Sequence, residues 1–273
     1  MTRKSGHLGH QCWSSGVYFE FQRGKPRVKV DENETVLVSG NVEMLYLRDL
    51  TYHPPACHTP ILKSIHLQVA PQQLGLVIGP SGSGKSTLLE ILAGLAAPTT
   101  GKVFWREQEL TPMHLEQLSG LVFQFPERHF CGSTILEELR LGHPELTRDR
   151  ITEALTEVGL AHLPMSTAPH ALSGGQQRRL ALAVQLIRQP HLLLLDEPTA
   201  GLDWSMRQQV VNLLAKLKNH WSLLVVSHDA SELIDIADRC WMLHQGELTP
   251  ISSTELRAKN QRSQVALPEK PCR

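Results

Sequence analysis

Short apolar runs recur along the chain, and each is followed by glycine or polar residues. Three of them, Leu74–Ile78, Leu192–Leu195 and Ser222–Val226, are apolar at nearly every position, which is typical of strands buried on both faces of a parallel sheet. Helices are predicted between them at Thr87–Leu92 and Ser205–Lys218. Because strands alternate with helices, the pattern predicts an α/β fold with a parallel sheet.

The segments between these runs predict further elements. Strands are predicted at Met44–Tyr52, Ile61–Val69, Lys102–Trp105 and Leu118–Phe123, with a turn at Pro98–Gly101. The stretch from Glu127 to about Pro169 is richer in helix formers, with helices predicted at Ile135–Leu141 and Arg148–Val158, and a subdomain is expected over about residues 125–172. This stretch therefore predicts a helical subdomain inserted into the α/β domain.

The two ends of the chain differ from its middle. Residues 1–40 are polar and are expected to form a disordered extension, although their Ser-rich, acid-poor start is similar to an organelle transit peptide. Residues 41–251 are expected to form one domain. The chain turns polar after Gly246, and residues 252–273 are predicted to be a tail that begins with a helix.

Composition narrows the classes of function. Lys and Arg number 27, as do Asp and Glu, so the net charge is zero and no nucleic-acid partner is expected. The five cysteines are scattered without C-x-x-C spacing, which favours a reducing compartment over a disulfide framework or a zinc site. No run of 18 apolar residues is present, so a role at a membrane would need another chain to cross it.

A phosphate-binding loop follows the first buried strand. The pattern G-x-x-x-x-G-K-[ST] is matched by Gly79, Pro80, Ser81, Gly82, Ser83, Gly84, Lys85 and Ser86, and the predicted helix continues from Thr87. Glycines let the backbone curl around phosphate oxygens, and the amide groups at the helix N-terminus favour an anion. Lys85 is expected to reach the β- and γ-phosphates, and the Ser86 hydroxyl to bind Mg²⁺.

Two carboxylates follow the apolar run Leu192–Leu195. Asp196 is expected to hold Mg²⁺, and Glu197 to act on the attacking water. A solvated junction between strand and loop would look the same in isolation. Together with the phosphate-binding loop, the pair predicts a nucleotide hydrolase.

The stretch Leu172–Gln176 reads Leu-Ser-Gly-Gly-Gln, and here the chain resembles an ABC-type ATPase. The resemblance covers roughly residues 42–251. It implies a phosphate-loop NTPase with a mixed central sheet, an N-terminal antiparallel β subdomain and an inserted helical subdomain. In this family the signature residues, here Ser173, Gly174, Gly175 and Gln176, close on ATP held by a second ATPase subunit, so two ATP molecules lie in a head-to-tail dimer.

The resemblance assigns roles to four further residues. Tyr52 stands where the family stacks an aromatic ring on adenine, with a core tyrosine as the alternative. Gln124 resembles the glutamine that contacts Mg²⁺ and the attacking water. Asp203 resembles the aspartate of the D-loop, which crosses the dimer interface, and His228 resembles the histidine that bonds the γ-phosphate.

The segment Phe123–Glu127, followed by Phe130 and by Thr134–Glu138, resembles most closely the ATPases of energy-coupling-factor and cobalt-type importers. It implies an ATPase that powers import of a metal ion or vitamin through an integral membrane subunit, with ATP and Mg²⁺ as cofactors. The expected location is the cytoplasmic face of the membrane, with the plastid stroma as the alternative. A soluble ABC ATPase in iron–sulfur assembly or macromolecular remodelling stays open as a second function.

Overall fold

A computed structural model describes residues 18–22, 25–29, 44–55, 59–229 and 231–258. The chain divides into two units, residues 1–41 and 42–273. The first unit contains an antiparallel hairpin of β1 (Tyr18–Gln22) and β2 (Lys25–Lys29), which the polar composition of residues 1–40 did not predict. The other residues of that expected extension, and those of the tail after residue 258, lie outside the described ranges.

The described residues of the second unit form the following strands and helices. The strands are β3 (Leu45–Tyr52), β4 (Leu62–Val69), β5 (Leu74–Ile78), β6 (Thr100–Trp105), β7 (Gln108–Leu110), β8 (Ser119–Val122), β9 (Leu192–Asp196), β10 (Ser222–Ser227), β11 (Arg239–His244) and β12 (Glu247–Ile251). The helices are α1 (Lys85–Leu92), α2 (Pro112–Leu118), α3 (Ile135–Arg140), α4 (Arg148–Glu157), α5 (Gly174–Leu186) and α6 (Trp204–Leu217). A further helical stretch covers residues 253–258.

The central sheet has six strands in the order β12-β11-β5-β10-β9-β8. Its five strands from β11 to β8 run parallel, and β12 is antiparallel to β11. The sheet is therefore mixed, as expected. The carboxyl ends of β5, β9 and β10 meet at one edge, because Val226 lies opposite both Val77 and Asp196.

Each face of the central sheet packs into its own core. Leu193 and Leu195 of β9 face a cluster formed with α5 and α6, whereas Leu192 and Leu194 face a cluster formed with α1 and the second sheet. Every residue of β5 is buried, as the continuous apolar run predicted. Two covered faces make this sheet a rigid base for the loops at its carboxyl edge.

The second sheet is antiparallel, in the order β4-β3-β6-β7. The strand β4 alternates buried and exposed positions over much of its length, so one face packs on the core and the other faces outward. The predicted turn at Pro98–Gly101 is shorter than expected. Thr100 pairs with Thr51, so β6 starts at Thr100, two residues before the predicted strand.

The helical insertion contains α3 and α4, flanked by short 3₁₀ turns at Pro126–Arg128 and Pro169–Ala171. It leads directly into α5. Within the part of the chain that the structure describes, no helix is long and apolar enough to cross a membrane.

In the described part of the second unit, the strands and helices that were not predicted are β7, α2, β11 and β12. Leu118 was assigned to a strand but ends α2, which Thr111 begins by accepting a hydrogen bond from the His114 amide. The polar segment after Gly246 is partly the edge strand β12, which tolerates Pro250 because an edge strand needs fewer amide donors.

Candidate functional site

Four strands of the central sheet end around one cavity of about 510 Å³. The loop after β5 forms one wall, Gln124 follows β8, and the residues after β9 and β10 complete it. Ten predicted residues line the cavity: Ser81, Gly82, Gly84, Lys85, Ser86, Thr87, Gln124, Asp196, Glu197 and His228. Ile61, which no motif indicated, lines it as well.

The loop between β5 and α1 depends on its glycines. A Cβ on Gly79 would lie 2.1 Å from the Leu243 carbonyl oxygen, so no larger residue fits there. Gly84, with a φ of 102°, is the N-cap of α1 and has no side chain with which to cap it. The amide groups at the start of α1 are therefore open to an anion in the cavity.

Lys85 is held inside the loop by the loop itself. Its Nζ donates to the carbonyl oxygens of Gly79 at 2.8 Å and Pro80 at 3.0 Å. Burial lowers the pKa of Lys85, while the charges of Glu197 and Asp196 act in the opposite direction. The ammonium group thus lies under the loop, close to where the loop and α1 would hold phosphates.

The Asp196 carboxyl and the Ser86 hydroxyl line the cavity together. Burial raises the pKa of Asp196, and the Ser86 hydroxyl opposes this shift. Together with the Gln124 amide, these groups offer oxygen ligands of the kind Mg²⁺ prefers. The described residues hold no cluster of three or more His, Cys, Asp or Glu suited to a metal ion. Mg²⁺ needs none here, since it is commonly bound by one or two carboxylates together with substrate phosphates.

Glu197 is buried and held from several directions. Its Oε1 lies 2.8 Å from both the His228 amide nitrogen and His228 Nδ1, and the Ser227 hydroxyl lies 2.9 Å from its Oε2. Its backbone is left-handed, with a φ of 47°. Such a conformation is costly for a residue with a Cβ and persists only where its surroundings fix it.

The signature residues lie elsewhere. Of the described residues, neither Ser173–Gln176 nor Asp203 lines the cavity around Lys85. Ser173 caps α5 and Asp203 caps α6, and the two helix starts are neighbours, since a Cβ on Gly175 would lie 3.3 Å from Met206 Sδ. The predicted residues thus form two groups, with the cavity in one and the signature and Asp203 in the other.

The position of Tyr52 is compatible with both of its predicted roles, stacking on adenine and packing in the core. It is half-buried and packs against the core cluster of the antiparallel sheet. Its carbonyl oxygen accepts from the Ile61 amide at 2.9 Å, and Ile61 lines the cavity. Tyr52 is thus next to the cavity rimmed by Ile61, and stacking on adenine stays a prediction.

The sequence did not single out two side chains that form hydrogen bonds with Glu197. Ser227 directly precedes His228 at a strand end, which is a signal that could have included it. Arg178 donates to the carbonyl oxygens of Glu197 and Ala200 at 3.2 and 2.6 Å. No local signal separates it from its neighbour Arg179.

The chain matches the family model described as "ABC transporter" over residues 62–200. It is 39% identical over 253 residues to "ABC transporter I family member 11, chloroplastic" of Arabidopsis thaliana, covering 86% of each chain. It is 38% identical over 200 residues to "Energy-coupling factor transporter ATP-binding protein EcfA2" of Symbiobacterium thermophilum, covering 68% of this chain and 69% of that relative.

A solved structure has the same fold. It is cbiO1 of Clostridium perfringens, described as part of the ABC transporter complex cbiONQ, with a TM-score of 0.74 and 25% identity. The match covers 83% of this chain and 96% of that chain. The phosphate-binding loop, the carboxylates after β9 and the signature at α5 agree with these likenesses, and the chain belongs to the ABC transporter family as an ABC-type ATPase.

Proposed function

We propose that this protein binds and hydrolyses ATP to power a membrane transporter, and that closure of a dimer around ATP drives transport. One observation carries the proposal: Lys85, Asp196, Glu197 and His228 line one cavity, whereas the signature residues Ser173–Gln176 do not line it. Such a half-site can bind ATP alone but needs a second subunit to enclose it.

ATP binding begins at the phosphate-binding loop. The amides from Gly82 to Thr87 and the N-terminus of α1 hold the phosphates, and Lys85 exchanges the carbonyl oxygens of Gly79 and Pro80 for phosphate oxygens. Mg²⁺, when bound by Ser86, Gln124 and Asp196, supplies charge neutralisation at the phosphates. Tyr52 is the proposed stacking partner for adenine.

Hydrolysis is assigned to Glu197. Its carboxylate takes a proton from water while the water oxygen attacks the γ-phosphorus and the bond to the ADP oxygen breaks. The contacts from Ser227 and the His228 amide fix the carboxylate for this step. Gln124 is the second group proposed to orient the water.

His228 contacts the proposed base from the wall of the cavity. Its Nδ1 lies 2.8 Å from Glu197 Oε1, and the same ring is the group proposed to bond the γ-phosphate. His228 is thus suited to report the presence of the γ-phosphate to the catalytic carboxylate.

The second subunit contributes the α5 signature. Ser173, Gly174, Gly175 and Gln176 of one subunit are proposed to close on the γ-phosphate bound by the other, with Asp203 at the interface. The second subunit is either a copy of this chain or a different ABC ATPase. ATP favours the closed dimer because both subunits contact it, and hydrolysis removes the contact that differs between ATP and ADP.

The segment Phe123–Phe130 is the proposed contact with an integral membrane subunit. The Arg128 guanidinium lies 4.7 Å from the centre of the Phe125 ring, and both side chains are at least partly exposed. Phe130 instead packs against the core. Phe125 and Arg128 are therefore accessible, next to the exposed side chains of Glu127 and His129.

Import of a metal ion or vitamin is proposed from the likeness to energy-coupling-factor ATPases. The protein would then be peripheral on the cytoplasmic face of a membrane. The plastid stroma stays as the alternative, supported by the Arabidopsis relative that is named chloroplastic.

The variant Glu197→Gln tests the hydrolytic assignment. We expect kcat to fall by at least about 100-fold, because a glutamine cannot accept the proton from water. ATP affinity should stay within about twofold of the parent, since the binding loop is unchanged. Steady-state ATPase assays and equilibrium nucleotide binding give the two values. Hydrolysis at the parental rate would show that Glu197 is not the base.

Replacing Phe125 and Arg128 together by alanine tests the membrane contact. We expect an integral membrane subunit to be lost from co-purification, with ATP affinity within about twofold of the parent, because the pair lies outside the nucleotide cavity. Unchanged co-purification would exclude this segment as the contact. If no membrane subunit accompanies even the parent chain, the soluble alternative gains support.

A further inference from the structure

Two adjacent arginines on α5 serve different parts of the molecule. Arg178 is only 5% exposed, and it extends from α5 to the turn that follows β9. Its Nη1 donates to the Glu197 carbonyl oxygen at 3.2 Å and its Nη2 to the Ala200 carbonyl oxygen at 2.6 Å. Arg179 instead donates to the carbonyl oxygens of Gly175, in its own helix, and of Gly159, just after α4.

The turn that Arg178 clamps carries the strained residue of the site. Ala200 donates its amide to the Glu197 carbonyl oxygen at 3.1 Å, and Glu197 donates its own amide to Val226 at 3.0 Å. Arg178 adds two donors from outside this turn. Because the left-handed backbone of Glu197 sets the direction of its side chain, contacts on that backbone also set where the carboxylate points.

Arg178 also connects this turn to two other elements. Its own helix begins at the signature residue Ser173, and the 3₁₀ turn Pro126–Arg128 packs against that helix. Burial lowers the pKa of Arg178, and the charge of Glu127 in that turn opposes the shift. A buried guanidinium is costly to keep unless its contacts are satisfied, so Arg178 resists displacement of any one of the three elements.

We propose that Arg178 is a positioning residue that ties the signature helix to the Glu197–Ala200 turn, so that movement of α5 changes the placement of the catalytic carboxylate. The inference rests on the proposed role of Glu197 as the base. It predicts that losing Arg178 slows hydrolysis without weakening ATP binding. If Arg178 were only structural, its loss would lower stability but would not slow hydrolysis while leaving ATP binding unchanged.

The test compares Arg178→Met with Arg179→Met in the full chain. Methionine keeps a flexible side chain but removes every donor. For Arg178→Met we expect kcat to fall by about 10- to 100-fold, the range seen when a group that orients a catalytic residue is removed. The dissociation constant for ATP should stay within about twofold. For Arg179→Met we expect kcat and the dissociation constant for ATP both within about twofold of the parent. Its thermal unfolding temperature should fall, because two hydrogen bonds of Arg179 are lost.

The conservative variant Arg178→Lys supplies a second comparison. It keeps the charge and can still donate to one of the two carbonyl oxygens, so we expect kcat at least about threefold above that of Arg178→Met. If the methionine variants do not fold, Arg178→Lys against Arg179→Lys gives the same comparison, with the larger loss of kcat expected for Arg178→Lys.

Equal losses of kcat in the Arg178 and Arg179 variants would overturn the inference. So would a loss that lies entirely in ATP affinity, or a lysine variant no more active than the methionine variant. Glu197→Gln separates this failure from failure of the proposed function. If Glu197→Gln is inactive and Arg178→Met behaves like Arg179→Met, only the role of Arg178 is wrong.

Discussion

The N-termini of α1 and α5 carry the two glycine-containing motifs, and the two helix starts differ in how they are capped. The start of α1 has Gly84 as its N-cap and faces the cavity with its amides open. The start of α5 is closed by its own side chains. Ser173 Oγ accepts from the Gln176 amide at 3.4 Å, and Gln176 Oε1 accepts from the Ser173 amide at 2.9 Å.

Because of this difference, the two helix starts suit different steps of nucleotide binding. The open terminus of α1 is ready to take a phosphate within one chain. The capped terminus of α5 holds its shape without a ligand, and a phosphate from a second subunit would compete with only two internal hydrogen bonds. The pair therefore suits binding in one chain followed by closure between two.

Lys85→Ala breaks the α1 side of the comparison and should have the largest effect. We expect the dissociation constant for ATP to rise by about 100-fold or more, because a buried charge next to the phosphates is lost. Isothermal titration with ATP and Mg²⁺ measures it. An affinity within a few-fold of the parent would show that phosphates do not bind at the start of α1.

Asp196→Asn tests the comparison between α1 and α5 at the metal site, because the predicted Mg²⁺ ligands line the cavity at the start of α1 and not the start of α5. We expect the affinity for Mg²⁺ in the presence of ATP to fall by about tenfold, because one carboxylate is removed. Binding of ATP without Mg²⁺ should change less than twofold. Equal Mg²⁺ affinity in parent and variant would exclude Asp196 as a ligand.

The Asp196 carboxyl also makes the unfolding free energy depend on pH, and the direction of this dependence follows from its raised pKa. The pKa of Asp196 is raised on folding, so its contribution favours the folded state below its ordinary pKa and is lost as pH rises through the raised value. At neutral pH the charged carboxylate therefore opposes folding. Asp196→Asn should raise the unfolding free energy at pH 7, by up to about 1 kcal/mol, and this gain should shrink as pH falls towards 4.

Ser173→Ala breaks the α5 side and should have the smallest effect on a single chain. We expect ATP affinity within about twofold of the parent and an unfolding free energy lower by about 1 kcal/mol, because one helix cap is lost. Hydrolysis should nevertheless fall by about tenfold, as the second subunit can no longer complete the site. Chemical denaturation and ATPase assays measure both, and a parental ATPase rate would contradict the role of the signature.

The sequence predicted those parts of the site that are encoded locally. The phosphate-binding loop, the carboxylates after β9 and His228 after β10 each follow an apolar strand, and parallel strands bring their carboxyl ends to one edge. The gathering of Gln124 into the same cavity agrees with the predicted set.

What escaped prediction depends on contacts between distant segments. The strand β11 begins and ends with charged or polar residues, and its place beside β5 is set by pairing across the chain. Arg178 and Arg179 look alike in sequence, and only the orientation of α5 directs one of them to Glu197. The left-handed backbone of Glu197 is likewise fixed by Val226 and Arg178, neither of which is a sequence neighbour.

The molar mass of Glu197→Gln in the presence of ATP and Mg²⁺ tests the central claim, that one chain binds ATP and a second encloses it. Light scattering should give the mass of two ATPase subunits with ATP and of one without it, and Ser173→Ala on the same background should weaken the dimer. Any natural companion ATPase or membrane subunit should be supplied in parallel. A mass of one ATPase subunit under every one of these conditions would contradict the account.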